Sequence, residues 1–377
     1  MQKTIILLFC SVFLGYSCHS NKTITSDKSA TKGAQDLYKR LEATAGKGIM
    51  IGHQDALAYG LGWWKKEGMC DMYRVSGEYP AVYGWEIGDI HTPRNLDSVA
   101  FSDMKNWMID IHKNGGINAI SFHMDNPVDG ASSWDTSKIT KDILPGGKDH
   151  QKLLFHLDLA ANFIKSIQTD AQAVPMIYRP FHEHNGNWFW WGKGNTTEAD
   201  YIALFQFNVD YFRKKHNIHN LIYAFSPDRS RMKSSGNRTD YLYGYPGDDY
   251  VDLLGWDNYM DVKASKNDSL NAVGIKSLVT GLEMIADLAA EKGKLCALTE
   301  TGSESIKDPK WFTQRILNPI KASPKASKIT YVSFWRNARE SHHYMSYPGH
   351  ITEADFKDFV KDPMTLTLKD IGTNFVK

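Results

Sequence analysis

Short apolar runs recur along the chain, each followed by a polar loop and then by a stretch with helical spacing. Eight can be read: 49–53, 81–85, 117–123, 174–179, 221–226, 251–256, 295–300 and 330–335. Apolar runs bounded on both sides by polar loops fit parallel strands buried on both faces. Between them, Leu278, Leu282, Ile285, Ala286 and Ala289 share one helical face, with Gly293 placed to end it. Residues 204–212 form a second apolar-rich helical stretch before the fifth run. The runs repeat about every 40 residues, the size of one strand–helix unit with long loops. The expected fold is an α/β protein, a single (β/α)8 TIM barrel. An open doubly wound sheet competes, but no glycine-rich phosphate loop follows any run.

The N-terminus breaks this pattern. Lys3 precedes an apolar stretch from Ile5 to Leu14, and about 10 residues are too few to span a bilayer. The residues Leu14-Gly15-Tyr16-Ser17-Cys18 are similar to a bacterial lipobox. Cleavage before Cys18 and lipidation of its thiol are expected, with an ordinary cleaved signal as the alternative. Residues 1–17 are then a signal peptide, 18–35 a polar flexible tether, and 36–377 the barrel domain. The protein is expected to be exported and held in the cell envelope by its lipid. Cys70 and Cys296 are expected as two buried free thiols, and without a CxxC pair no structural zinc site is suggested.

Composition adds two constraints. Lys+Arg is 44 and Asp+Glu 43, a formal charge of +1, and loss of Lys3 leaves the exported chain neutral. That balance argues against nucleic acid, and against a membrane contact other than the lipid anchor. The 11 Trp, 18 Tyr and 17 Phe are compatible with a large core but also suit stacking on sugar rings.

In such a barrel the active site lies at the C-terminal ends of the strands. The fourth run leads into Arg179, His182, Glu183, His184, Asn185 and Trp188; the seventh ends in Thr299-Glu300-Thr301; the sixth ends in Trp256-Asp257-Asn258-Tyr259. The third ends at His123, and the eighth at Trp335 and Arg336. Glu183 and Glu300 suit glycoside hydrolysis, in which one carboxyl donates a proton and the other attacks the anomeric carbon. Their strand tips allow the separation of about 5–5.5 Å that retention of configuration needs. Each alone would equally suit a structural salt bridge. His182 and His184, two residues apart on an extended segment, are a metal pair or hydrogen-bonding groups beside an acid. No third ligand stands nearby, so no metal or cofactor is expected. The aromatic group 188–191 is expected to form, in part, a wall against which sugar stacks.

These residues resemble glycoside hydrolase family 26, whose principal members are β-mannanases. The resemblance rests on RPFHEHNGNWFWWG (179–192) and LTETG (298–302). GHQDA (52–56), SFHMDNP (121–127), PGGKDH (145–150), GWDNY (255–259) and FWRNA (334–338) follow in the family's order. It covers roughly residues 36–370. It implies Glu183 as acid/base and Glu300 as nucleophile of a double displacement, without a cofactor. His182 is implied beside the acid/base, Trp188 near the leaving group, and Tyr259 against the nucleophile. His123 and Trp335 are implied to shape the glycone subsites, with Arg179 and Asp257 supporting the carboxylates from behind. His184 stands where the family pattern has a hydrophobic residue.

The implied substrate is β-1,4-mannan, galactomannan or manno-oligosaccharides, acted on by a monomer. The family also holds enzymes acting on β-1,3-xylan and mixed-linkage β-glucan. The long segment 128–151 after the third run would favour mannobiose release from chain ends if it closed the glycone side. A lipid-anchored glycan-binding protein without activity is the alternative of another class.

Overall fold

The computed structural model describes residues 24–372. The signal segment 1–17 and Cys18 lie outside them. All eight runs are strands: β1 Ile49–Gln54, β2 Val82–Glu86, β3 Ile117–Phe122, β4 Met176–Pro180, β5 Leu221–Phe225, β6 Leu253–Asn258, β7 Leu295–Thr301 and β8 Tyr331–Phe334. They pair in parallel in chain order. β1 closes the ring on β8, with Met50 opposite Tyr331 and His53 opposite Phe334. The expected (β/α)8 barrel is therefore the observed one. The expected helix at 278–289 lies within Asp268–Lys292, which ends on Gly293 at φ 63°. Leu204 and its neighbours belong to Glu198–Asp210, which continues into a π-helical turn to Lys215. Cys70 and Cys296 are free and buried.

Inward-facing positions alternate along each strand, and they change character from base to mouth. At the base Met50, Val82, Ile117, Ile177, Ile222, Leu253, Leu295 and Tyr331 form one apolar cluster. Two residues further on the inward positions are small: Gly52, Gly84, Ala119, Ala224, Gly255, Ala297 and Ser333. Arg179 is the exception. These small positions leave space that polar groups of the mouth fill. A β-carbon at Gly84 would lie 2.1 Å from Gln54 Oε1, and one at Gly255 would lie 2.1 Å from Ser226 Oγ.

The base is closed by the first helix, Lys32–Thr44, labelled α1 here. Thr31 caps it, its hydroxyl accepting from the Ala34 amide. Ala34, Leu37, Tyr38 and Leu41 fall at i, i+3, i+4 and i+7 and join the barrel's apolar floor. This corrects the expected tether over 18–35, because the described residues 24–35 are part of the fold. The Ser26 amide donates to buried Asp252 at 2.5 Å, Asp27 meets His219 at 2.8 Å, and the Thr31 amide donates to the His219 carbonyl at 2.8 Å. Polar composition concealed a segment whose polar groups bond to the barrel base.

If α1 is part of the core, Leu41→Ala lowers the unfolding free energy by about 2–5 kcal/mol. Urea unfolding monitored by tryptophan fluorescence measures this. A change under about 0.5 kcal/mol, typical of a surface position, would mean that α1 is only laid against the barrel.

Candidate active site

Past Pro180 the chain leaves β4 in a strained turn. Phe181 and Glu183 have φ of 47° and 53°, a left-handed conformation that non-glycine residues adopt at a cost of order 1–3 kcal/mol. Five hydrogen bonds hold the turn. Tyr201 Oη donates to the Phe181 carbonyl at 3.0 Å, and Trp191 Nε1 to the His182 carbonyl at 2.9 Å. The amides of Gly186 and Lys193 bond the carbonyls of Glu183 and His184, at 2.9 and 2.7 Å. The Glu183 amide donates across to the Ser226 carbonyl at 2.7 Å.

The turn separates the two histidines, correcting the expectation of a pair on one face of an extended segment. His182 faces the barrel mouth, edge-on to His123 at 4.5 Å between centroids. His184 stacks on Tyr201 at 4.1 Å, and its Nε2 bonds the Tyr243 carbonyl at 2.6 Å. It takes a hydrophobic residue's place by packing as an aromatic ring. The aromatic group divides. Trp190 and Trp191 are core, Phe189 is buried but lines the cleft, and Trp188 is partly exposed. Even its ring is partly covered: the Arg231 guanidinium lies 4.9 Å over it, and a β-carbon at Gly186 would lie 2.3 Å from its edge.

The structure brings Glu183 and Glu300 into one cleft. A cavity of about 600 Å³ is lined by both, with His182, Tyr259, Trp335 and Tyr344. Trp188 Nε1 donates to Glu183 Oε2 at 2.9 Å, so a proton on this carboxyl resides on Oε1. Burial, then the negative charges of Glu300 and Asp257, push the Glu183 carboxyl well above its usual range. Glu300 is held differently. Tyr259 donates to its Oε1 at 2.7 Å and Arg179 to its Oε2, so both oxygens accept charge-stabilising bonds. The other arm of Arg179 donates to Asp257 at 2.6 Å, and Asp257 also accepts from Thr299 at 2.8 Å. Burial, and then the Glu300 charge, raise the Tyr259 phenol and keep it protonated.

His123 lies on the far side of the cleft. Burial disfavours its charge, yet buried Glu86 outweighs that and raises the imidazole above its ordinary value. The two meet at 2.6 Å, and Glu86 also accepts from the His123 amide at 2.7 Å. His182 is pushed well below its ordinary value, by burial first and then by the Arg179 charge, and is neutral. His182, Asp257 and Glu300 offer ligand atoms within 4.8 Å of one another. A cation there would have to displace Arg179, which already bridges both carboxylates.

Several lining residues were not anticipated. Glu86 closes β2 and fixes His123. Trp134, 61% exposed, leans on Phe189 with centroids 4.9 Å apart. Lys263, His342 and Tyr344 complete the walls. A second cavity of about 650 Å³ adjoins the first and shares His123, Trp134, Trp335 and His342 with it, so the two form one groove.

Comparison with known proteins agrees with this geometry. Residues 26–332 match the model of glycosyl hydrolase family 26. A mannan endo-1,4-β-mannosidase of Bifidobacterium adolescentis is 33% identical over 363 residues, which is 90% of this chain and 35% of that protein. One of Bacillus subtilis is 32% identical, over 53% of this chain and 56% of its own length. The chain thus spans about a third to a half of these curated relatives. Among solved structures, a GH26 β-mannanase from Bacteroides ovatus superposes with a TM-score of 0.82 at 34% identity, covering 90% of this chain and 96% of that one. A modular endo-β-1,4-mannanase from Cellulomonas fimi gives 0.83 at 33%, covering 92% and 78%.

The two carboxyls are coupled in a testable way. Glu300→Gln removes one of the two leading causes of the raised Glu183 value, so Glu183 then titrates at lower pH than in the wild type. Carboxyl ¹³C NMR with labelled glutamate reads this directly. An unmoved titration would show that burial alone sets Glu183.

Proposed function

The chain belongs to glycosyl hydrolase family 26, and on that premise we propose that it is a retaining endo-β-1,4-mannanase. The observation that carries the proposal is a pair of carboxyls in one groove, held by different partners. Glu183 is raised well above its usual range and has only Trp188 on Oε2, leaving Oε1 for a proton; Glu300 is cradled by Tyr259 and Arg179. Glu300 attacks the anomeric carbon while the Glu183 proton passes to the departing glycosidic oxygen. The bond to the leaving sugar breaks as the bond to Glu300 forms. Glu183, now a carboxylate, takes a proton from water, whose oxygen attacks the same carbon and releases Glu300. Two inversions return the β configuration.

Tyr259 and Arg179 stabilise Glu300 as the leaving carboxylate of the second step. His182, neutral, lines the face between Glu183 and His123. Trp188 fixes the Glu183 rotamer from the leaving-group side, and Trp335 with His123 bounds the glycone side. The substrate is β-1,4-mannan or its oligosaccharides, in line with the names of the relatives. The groove of two joined cavities suits a chain rather than a single sugar.

Release of reducing sugar from mannan with a steady fall in viscosity is expected, and reducing ends without viscosity loss would indicate action from chain ends. Glu183→Ala loses about 10²–10⁴-fold on mannan but far less on aryl glycosides, whose leaving groups need no proton. Glu300→Ala is inactive on both. Equal residual activity in the two variants would refute the assignment.

We also infer export and lipid anchoring through Cys18, supported by Lys3, the apolar stretch to Leu14 and the small residues before the cysteine. Expressed in a bacterial host, the wild type then fractionates with membranes and Cys18→Ala with soluble envelope proteins. Unchanged fractionation would refute the anchor.

A further inference from the structure

Two loops meet on the wall common to the two cavities. Ser303 and Glu304 follow β7. The turn Arg339–His342 follows β8 and is closed by the Ala338 amide on the His342 carbonyl at 2.9 Å and the His342 amide on the Arg339 carbonyl at 2.8 Å. The His342 ring joins the loops. Its Nδ1 lies 2.6 Å from Glu304 Oε1, and it meets Tyr344 edge-on at 5.2 Å between centroids. A carboxylate only accepts, so Nδ1 carries the proton and donates. Nε2 is then the ring nitrogen left free to meet a ligand.

That nitrogen is buried and has no protein partner among the described residues. A buried polar atom without a partner is costly, and a ligand can supply the missing bond. The rest of the cavity fits the same ligand. Asp97 Oδ2 and Arg336 Nε, which line it, are also buried and unpartnered. Another pair of their atoms is already joined in an ion pair at 2.9 Å. Asp97 Oδ2 thus offers an acceptor and Arg336 Nε a donor, with the two charges already matched to each other. Hydroxyl groups of a sugar ring satisfy both kinds of atom.

We propose that His342, oriented by Glu304, is a specificity-determining residue whose Nε2 hydrogen-bonds a hydroxyl of the sugar unit next to the one being cleaved, on the side of the second cavity. This rests on the glycosidase reading above. Glu304 acts through His342 as a positioning residue. It holds the ring by Nδ1 and leaves Nε2 free.

The test compares kcat/KM for an aryl β-mannobioside with that for the aryl β-mannoside bearing the same leaving group. Only the disaccharide reaches His342 with its second ring. In His342→Ala the disaccharide preference is expected to fall about tenfold or more, and in Glu304→Gln about threefold. A preference within twofold of the wild type overturns the proposal, whether both rates fall together, as for a wall residue of structural value only, or neither changes. If the wild type cleaves neither substrate, the glycosidase reading fails on its own. Calorimetric titration with mannobiose then decides the subsite: weaker binding by His342→Ala supports it, and equal binding overturns it.

Discussion

The site depends on one buried guanidinium. Arg179 lies inside the barrel mouth with one arm on Asp257 and the other on Glu300. Burying such ions costs several kcal/mol each, recovered only where every lone pair and proton finds a partner. The surroundings meet that condition. Thr299 supplies Asp257 with another donor, and Tyr259 supplies Glu300. The long side chain needs room, and the inward glycines, alanines and Ser333 provide it. Lysine would not replace it, because an ammonium cannot present a planar fork to two carboxylates. The same guanidinium donates to Glu300, whereas Glu183 has no such partner and is raised by burial and by the neighbouring carboxylates. The two carboxyls thus sit in different surroundings, as the chemistry requires.

The turn after β4 is the second constraint. Left-handed φ at both Phe181 and Glu183 turns the chain abruptly so that Glu183 points over the mouth. The cost is met by fixing four successive carbonyls, two of them through the buried donors of Tyr201 and Trp191. This explains why so many aromatic residues crowd one stretch of sequence. Trp190 and Trp191 hold the scaffold, Trp190 through the Met124 carbonyl at 2.8 Å, and Trp188 alone reaches the acid.

What the sequence made legible follows from the same physics. Barrel strands buried on both faces produce continuous apolar runs, so all eight were visible, and the residues at their tips named Glu183, Glu300, Arg179, Asp257 and Tyr259. Glu86 escaped because the second run was cut at Trp85, one residue short of the strand's end. Trp134, His342 and Tyr344 escaped because they sit on loops, where position depends on contacts distant in sequence. The four aromatics at 188–191 could not be sorted into wall and core, since a turn has no periodicity to tell one face from the other. The polar residues 24–31 read as a tether because hydrogen bonds to Asp252 and His219 leave no mark in local composition.

Stability and chemistry are thereby divided along the barrel axis. The base is apolar and sealed by α1, and can absorb the cost of the mouth, where charges are buried and backbone is strained. That division also explains where the groove is adjustable. Its floor, Arg179, Asp257 and Glu300, is locked by mutual hydrogen bonds, and a substitution in any one removes a partner from another. The walls come largely from the loops after β2, β3, β7 and β8, which supply Asp97, Trp134, Glu304 and His342. Length preference and linkage can therefore vary through the walls while the reacting carboxyls stay fixed, and the Glu304–His342 contact is the place where two such walls are tied together.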